Sequence, residues 1–273
     1  MVEVLKILEE SKENIANNKL LKEKSEALFA LTDQLKEANK NLIKKDVQKD
    51  EFLDTVAHEL KTPITGIRAA TELILDNVDM KSDIKNQFLK NILQDSDRLS
   101  RLIHDILDFE KLSTGRDYLE LRKNSINLTI EKAINNVRQI ANKKAIKLAM
   151  PVSESVDFEF DEDRILQVLT NLLSNAIKFC PTQNGIITVN FKKKNKEVSI
   201  FVSDNGVGIP KDDREYIFDK FYQSSNQNTM KPDGSGLGLA ISKQIVENHE
   251  GKIWIEKTNK KGTVFGFKLP FFN

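Results

Sequence analysis

Phe52-Leu53-Asp54-Thr55-Val56-Ala57-His58-Glu59-Leu60-Lys61-Thr62-Pro63 carries one of only three histidines in a chain of 273 residues. Leu53, Val56, Leu60, Ile64, Ile67, Thr71 and Ile74 step by 3, 4, 4, 3, 4 and 3. That spacing predicts an amphipathic helix with one apolar stripe. His58 lies roughly 200° from Val56 at about 100° per residue, so its imidazole is expected to face solvent beside the Glu59 carboxylate. An exposed histidine on a rigid helix is placed to react with a group brought to it. Read alone, the same pattern also fits an ordinary surface histidine. Pro63 falls inside the helical pattern and predicts a bend near residues 59–63.

Before this stretch, the first 50 residues contain neither Gly nor Pro. Leu21, Leu28, Leu31, Leu35, Ala38 and Leu42 follow a heptad seam, which Lys24 breaks. Such a helix cannot bury its stripe alone; it either pairs in a coiled coil or packs on its own domain, and the coiled coil is the reading adopted. The seam weakens before Leu20, at Asn14, Asn17 and Asn18. After His58, residues 76–83 read as a hairpin turn. A second helix is expected over 83–113, with Leu89, Ile92, Leu99, Ile103 and Ile106 facing the first. Two such helices expose too much apolar surface to stand alone, and a second copy would close them into a four-helix bundle.

Ser113-Thr114-Gly115-Arg116 is the first clear linker, with Gly115 suited to a helix C-cap. Beyond it the pattern becomes mixed α and β. Strands are expected over 118–123, 146–150, 156–160, 186–192, 198–204, 252–257 and 262–270. Helices are expected over 127–142 (Asn127 as N-cap), 161–179 and 235–250. The polar run from Gln223 to Gly234 reads as a mobile loop. The expected order is thus an N-terminal helix (1–46), a hairpin domain (47–115) and an α+β domain (116–273).

Lys and Arg total 42 against 41 Asp and Glu, a net charge of +1, so nothing global favours nucleic acid or a membrane surface. A single cysteine, Cys180, allows no internal disulfide and suits a reducing compartment. No apolar run approaches the roughly 18–20 residues that span a bilayer. The first residues lack a signal-peptide pattern. The expectation is a cytoplasmic protein, or the cytoplasmic part of a membrane-bound sensor.

Three motifs in the α+β domain carry chemistry. In Asn171-Leu172-Leu173-Ser174-Asn175-Ala176-Ile177-Lys178, the residues Asn171, Asn175 and Lys178 share one helix edge. An amide oxygen there suits Mg²⁺, and the ammonium suits phosphate; a merely wet polar face gives the same spacing. Asp204-Asn205-Gly206-Val207-Gly208 follows a strand. Its glycines let backbone approach a ligand, and its carboxylate can accept from an exocyclic amine; a tight Asn-Gly turn is the plainer alternative. Gly234-Ser235-Gly236-Leu237-Gly238 opens a helix, where backbone N–H groups can cradle phosphate. Alone it is a weak signal, and it matches neither the dinucleotide fingerprint nor a Walker loop.

In this order the motifs resemble those of sensor histidine kinases of two-component signalling. His58–Pro63 looks like the H box, Asn171–Lys178 the N box, Asp204–Gly208 the G1 box, Phe218-Asp219-Lys220-Phe221 the F box and Gly234–Gly238 the G2 box. The resemblance covers about residues 47–270. It implies a dimerising helical hairpin followed by an α/β-sandwich Bergerat ATP-binding domain, with ATP and Mg²⁺ as cofactors. It implies His58 as phosphoacceptor, Glu59 as its base and Thr62 as the residue that orients water against a phospho-aspartate. It also implies Asn175 as the Mg²⁺ ligand, Asn171 and Lys178 by the phosphates, and Asp204, Gly206 and Gly208 at adenine. Gly234, Gly236, Leu237 and Gly238 would close the phosphate end. Residues 209–233 would form a lid, with Phe218 and Phe221 as anchors and Lys220 as its cation.

The implied partners are a second copy of the chain and a separate response-regulator receiver domain. No sensor domain is evident in the chain. Asn171 stands where gyrase-type relatives carry a glutamate base, which favours transfer over hydrolysis. Departures from the family pattern are Phe179 for a tyrosine, His249-Glu250-Gly251 for His-Gly-Gly, and Gln223 at a usually basic lid position. His104 has no matching motif and reads as a bundle histidine. His249 is expected at a helix C-terminus, where positive charge is favourable. Cys180 reads as a helix-end residue and Trp254 as strand packing. The competing classes are a degenerate kinase serving as a scaffold, and a Bergerat-fold ATPase or serine kinase.

Overall fold

A computed structural model describes residues 2–77, 79–114, 118–150, 154–223 and 234–271, with backbone alone for residues 2–18, 20, 23, 27, 44, 45 and 48. The chain divides into two compact units, Met1–His58 and Glu59–Asn273. The expected cap at Gly115 and most of the Gln223–Gly234 run lie outside the described residues.

Helix α1, Val2–Asp76, is continuous through Pro63. In the first unit, Leu21, Leu28, Leu31, Leu35 and Leu42 are all more than 60% exposed. The heptad seam therefore exists as an uncovered apolar edge within one chain.

In the second unit, the end of α1 runs beside α2, Ser82–Ser113. Arg98 donates to Glu59 at 3.2 Å, with both side chains mostly covered. Gly66 allows a close approach, because a Cβ there would meet the Asp95 carboxylate at 2.5 Å. The predicted stripes are only partly covered: Leu60, Ile67 and Ile74 are half-buried, whereas Ile64 and Thr71 are exposed. On α2, Leu89 and Ile103 are also exposed, and Leu102, Phe109 and Leu112 are buried instead. The last three turns of α2 pack against a helix of the α+β region, a neighbour that hairpin periodicity does not announce.

That region holds β1 (Arg122–Ser125), α3 (Ile126–Lys143), β2 (Lys147–Ala149), β3 (Asp157–Phe160) and α4 (Glu162–Phe179). β4 (Ile186–Lys194), β5 (Glu197–Asp204), α5 (Gly238–Asn248), β6 (Lys252–Asn259) and β7 (Gly262–Pro270) follow. β1 pairs antiparallel with β3, and the five-stranded sheet has the order β2-β4-β5-β7-β6. Among the described residues, only the β2–β4 pair is parallel. The expected strand at 118–123 starts later, at Arg122; residues 118–121 lie outside it, and the Glu120 N–H donates to the Asp161 side chain.

The core follows from two periodicities. Ile165, Val168, Leu169, Leu172 and Leu173 form the wholly buried side of α4. Val198, Ile200 and Val202 alternate along β5 towards the helices. Each such side chain contributes about 1.5–3 kcal/mol through burial. On the other face, Phe201, Gly266 and Trp254 occupy one rung across β5, β7 and β6. A Cβ on Gly266 would meet the indole at 2.9 Å, so glycine makes room for the edge-to-face Phe201–Trp254 contact.

Two local predictions are corrected. Asn127 is not the cap of α3; Ser125 holds that position. Asn127 accepts from the Val156 N–H at 3.0 Å and donates to the Glu154 carbonyl, tying the helix start to the approach to β3. His249 is not a cation at the end of α5. It is fully buried, and burial pushes its pKa down. Its Nδ1–H donates to the Ile245 carbonyl at 2.8 Å, while Nε2 accepts from the Asp161 N–H at 3.2 Å. That pair of bonds requires the neutral imidazole with its proton on Nδ1. Asp161 caps α4 through the Arg164 N–H and also accepts from the Glu120 N–H, so His249 ties the end of α5 to this cap.

Candidate functional site

His58 lies exposed on α1, as its position opposite Val56 requires. Glu59 follows it, held by Arg98 of α2, a partner the sequence reading missed. Thr62 is half-buried one turn further along the same helix.

The three α+β motifs meet at the C-terminal half of α4 and the start of α5. Asn171 donates from Nδ2 to the Gly238 carbonyl at 3.2 Å and to Ser242 Oγ at 3.4 Å. The Lys178 ammonium lies 3.8 Å from where a Cβ of Gly234 would stand, and 5.1 Å over the Phe179 ring. The segment 234–238 is therefore touched at its two ends by Lys178 and Asn171. Asn175, half-buried, lies on α4 between these two. Gly236 has φ +73, and a Cβ there would press on the Phe221 backbone at 2.8 Å. This left-handed residue delays α5 to Gly238, three residues later than expected at Ser235. The Leu237 N–H donates to Ser235 Oγ at 3.2 Å, and the Leu237 side chain is fully buried.

Asp204 ends β5. Its Oδ1 accepts from the Gly206 N–H at 2.8 Å and the Thr263 N–H at 3.2 Å. Both bonds fall on Oδ1, so Oδ2 is the oxygen available to a ligand. Burial pushes its pKa up, partly offset by those two bonds. Gly206 lies against the Phe179 carbonyl, 2.6 Å from an added Cβ. Gly208 has φ +76, and an added Cβ would collide with the Asn259 carbonyl. Side chains longer than glycine are excluded there by conformation and by space. Sequence reasoning missed the support from the β6–β7 hairpin. Gly262, at φ +133, passes against the Asp204 carbonyl. Thr258 Oγ1 accepts from the Ile209 N–H at 2.8 Å and stands 3.1 Å from Thr263 Oγ1. A glycine closing a Thr-flanked hairpin was the available signal.

The segment after Gly208 is fixed at its root. Arg214 donates to the Ile209 and Thr258 carbonyls. Phe218 meets Phe265 edge-on, with centroids 6.2 Å apart. Phe221 adopts φ 59, and Tyr222 donates to Asp213 at 2.7 Å. Gln223, at the departure from the family pattern, donates to the Gly234 carbonyl at 3.2 Å. Lys220, expected beside phosphate, instead places its ammonium 4.5 Å over the Phe109 ring of α2. Burial pushes its pKa down, against the opposing pull of Glu110. A cavity of about 550 Å³ between this segment and β6 is lined by Arg214, Phe218, Trp254 and Thr258. None of the expected nucleotide-binding residues lines it.

A polar network on α2 was not legible in the sequence. Asp108 accepts from Arg164 at 2.9 Å and Gln167 at 2.6 Å. Burial pushes its carboxyl up, but the Gln167 and Arg164 bonds outweigh that and hold it below the usual range. Asp105 accepts from Ser235 Oγ at 2.6 Å. Burial raises its pKa, and the Ser235 bond offsets part of the rise. Asp105 and Asp108 stand i, i+3 on a helix that carries other acidic residues, so the spacing does not single them out.

Among the described residues no group of three or more His, Cys, Asp or Glu could hold a metal ion. A hard cation here would have to share phosphate oxygens with an amide oxygen, as Mg²⁺ does. The donor set on α4 fits that description. Among the described residues no helix is long and apolar enough to cross a membrane.

Residues 48–115 match the family described as His Kinase A (phospho-acceptor) domain. Residues 160–273 match Histidine kinase-, DNA gyrase B-, and HSP90-like ATPase. The chain is 32% identical over 241 residues to sensor histidine kinase WalK of Bacillus subtilis, covering 84% of this chain and 38% of that protein. It is 33% identical over 227 residues to sensor protein kinase WalK of Staphylococcus aureus, covering 82% of this chain and 54% of that protein. The chain thus spans between a third and just over half the length of these relatives. Among solved structures, histidine kinase ThkA in complex with response regulator protein TrrA aligns with TM-score 0.67 and 29% identity, over 81% of this chain and 61% of that one. Histidine kinase AdeS of Acinetobacter baumannii, 23% identical with TM-score 0.66 over 79% of this chain and 98% of its own, shares the fold. The chain belongs to the sensor histidine kinases of two-component signalling and contains their phospho-acceptor and ATPase-type domains.

Proposed function

We propose that the chain is an ATP-dependent protein histidine kinase that phosphorylates His58 and passes the phosphoryl group to an aspartate of a response regulator. The observation that carries this is the convergence of Lys178 and Asn171 on the two ends of the glycine-rich segment 234–238. One end of the segment is cationic and the other is fixed by an amide. Its N–H groups lie at the opening of α5, where an anion is favoured.

In this reading Asp204 Oδ2 accepts from the adenine amine, because Oδ1 is already held by Gly206 and Thr263. Gly206 and Gly208 let backbone line the base, and Gly236, Leu237 and Gly238 complete the phosphate end. Asn175 would hold Mg²⁺, which would supply positive charge against the phosphates when bound. Lys178 adds the fixed positive charge. Lys220 joins it only if its ammonium leaves Phe109. A neutral His58 nitrogen attacks the γ-phosphorus, the bond to the β–γ bridging oxygen breaks, and ADP leaves. Glu59 accepts the imidazole proton, with Arg98 fixing the carboxylate. Asn171 cannot take a proton from water, so hydrolysis is disfavoured. Asn171→Glu should raise ATP hydrolysis, and unchanged hydrolysis would count against this role.

The exposed apolar edges of α1 and α2 support a homodimer whose hairpins form a four-helix bundle. The family domains support the division 1–46, 47–115 and 116–273, and a place on the cytoplasmic side of any membrane its whole protein spans. The ThkA–TrrA complex supports a receiver domain as partner. Thr62, one turn past His58, is proposed to orient water for dephosphorylating the regulator. Thr62→Ala should reduce that dephosphorylation while leaving His58 labelling in place, and equal dephosphorylation would sink the assignment.

The overall reading is tested by incubation with γ-labelled ATP and Mg²⁺. Acid-labile label that disappears in His58→Ala supports it. Acid-stable label would indicate serine chemistry, and no label would indicate a scaffold.

A further inference from the structure

Ser235 sits in the middle of the segment that Lys178 and Asn171 bracket, and its hydroxyl is bonded to an anion from another element. Asp105 of α2 accepts that hydroxyl at 2.6 Å. The carboxylate is not there by accident of a mobile side chain. The α2 face on either side of it is fastened: Leu102, Phe109 and Leu112 are buried, and Asp108 is clamped by Arg164 and Gln167. The Leu112 carbonyl accepts from Asn248 at 3.3 Å, at the far end of α5. Lys220 lies over Phe109 and so turns the neighbouring cation towards α2.

We propose that Asp105 is an autoinhibitory residue, a hairpin carboxylate held at the phosphate-binding segment through Ser235 so that docking of α2 opposes binding of nucleotide phosphates. This rests on the nucleotide site proposed above and adds its regulation. The physical reason is like-charge repulsion across a short, partly covered gap, where screening is weaker than in water. The carboxylate also occupies the Ser235 hydroxyl. Release of α2 removes the anion, frees Ser235 and lets Lys220 leave Phe109. By linkage, nucleotide phosphates oppose docking by the same factor that docking opposes them.

The test is titration calorimetry of the full 273-residue chain with Mg²⁺-ADP and, by competition, adenosine. Asp105→Ala and Asp105→Asn should bind ADP about three- to tenfold more tightly than wild type, a coupling in the usual range. Asp105→Asn keeps an acceptor for Ser235, so it separates the charge from the packing. Adenosine affinity should not change in either variant, because the repulsion acts on phosphate. Asp97→Asn removes an exposed charge from the same helix and should leave ADP affinity unchanged. Equal or weaker ADP binding by both Asp105 variants overturns the proposal, as does an equal gain for adenosine. Absence of ADP binding by the wild type would instead remove the nucleotide reading on which it stands.

Discussion

Asp204 illustrates what a single residue's surroundings decide. Its carboxylate is covered, and burial raises its pKa. The ionised form is the better acceptor for an adenine amine, so nucleotide binding should weaken as pH falls through that raised pKa. The loss should begin above the ordinary carboxylate range. Asp204→Asn replaces one acceptor oxygen by a donor and should lower nucleotide affinity about a hundredfold or more and remove this pH dependence. Calorimetry across the acid range checks both, and a variant that binds as wild type would rule out the adenine role. At this scale the sequence was informative where a motif names backbone geometry. Gly206, Gly208 and Gly236 all stand where an added Cβ would meet backbone. It was uninformative where the outcome depends on what packs alongside. That Lys220 lies over the Phe109 ring could not be read from the sequence, because the ring comes from an element more than 100 positions away in the chain. His249 ends α5 in a structural role, as expected, but it is neutral where a positive charge would be favourable, because the Asp161 N–H faces its Nε2.

Elements were legible when one face met one neighbour. α4 was expected over 161–179 and runs Glu162–Phe179. The strands of both sheets fall close to where alternation placed them, except for the late start of β1. α2 lies where it was expected, Ser82–Ser113, and Ile92, Leu99 and Ile106 of its stripe are half-buried, but its burial is deepest at Leu102, Phe109 and Leu112, near the end that meets α5. α5 was placed too early because Gly236 adopts a conformation that a helix cannot use. The join between α4 and α5 carries a prediction about stability. His249→Ala would leave the Asp161 N–H without its acceptor and open a void, costing about 2–4 kcal/mol. The pH dependence has a definite sign. The unfolded imidazole takes up a proton near pH 6.5, whereas the folded one, its pKa lowered, resists until lower pH. Its contribution is therefore complete above about pH 6.5, is lost as pH falls below that, and levels off beneath the folded pKa. Chemical denaturation of the wild type and His249→Gln over this range provides the check. An identical pH slope in the two proteins would show that His249 is not neutral in the fold.

For the whole molecule, the exposed leucines are the main unresolved surface of a single chain. Leu93 and Leu107 of α2 are 63% and 57% exposed, and the α1 seam is exposed along its length. In the proposed homodimer, a second copy would cover such edges. Sedimentation should show a dimer, and Leu93→Glu with Leu107→Glu should shift it towards monomer. A monomeric wild type would contradict the bundle. The α+β domain was readable because its four boxes come in a fixed order. The coupling of α2 to the glycine-rich segment was not, because Asp105 and Ser235 are 130 positions apart and neither carries a signal alone. In the proposed function this chain moves a phosphoryl group from ATP to one histidine. It is tested most directly by peptide mass spectrometry, at neutral to alkaline pH, of chain incubated with Mg²⁺-ATP. Phosphate is expected on the peptide containing His58, located on its imidazole. Phosphate on a serine or threonine, or its persistence on the same peptide in His58→Ala, would contradict it.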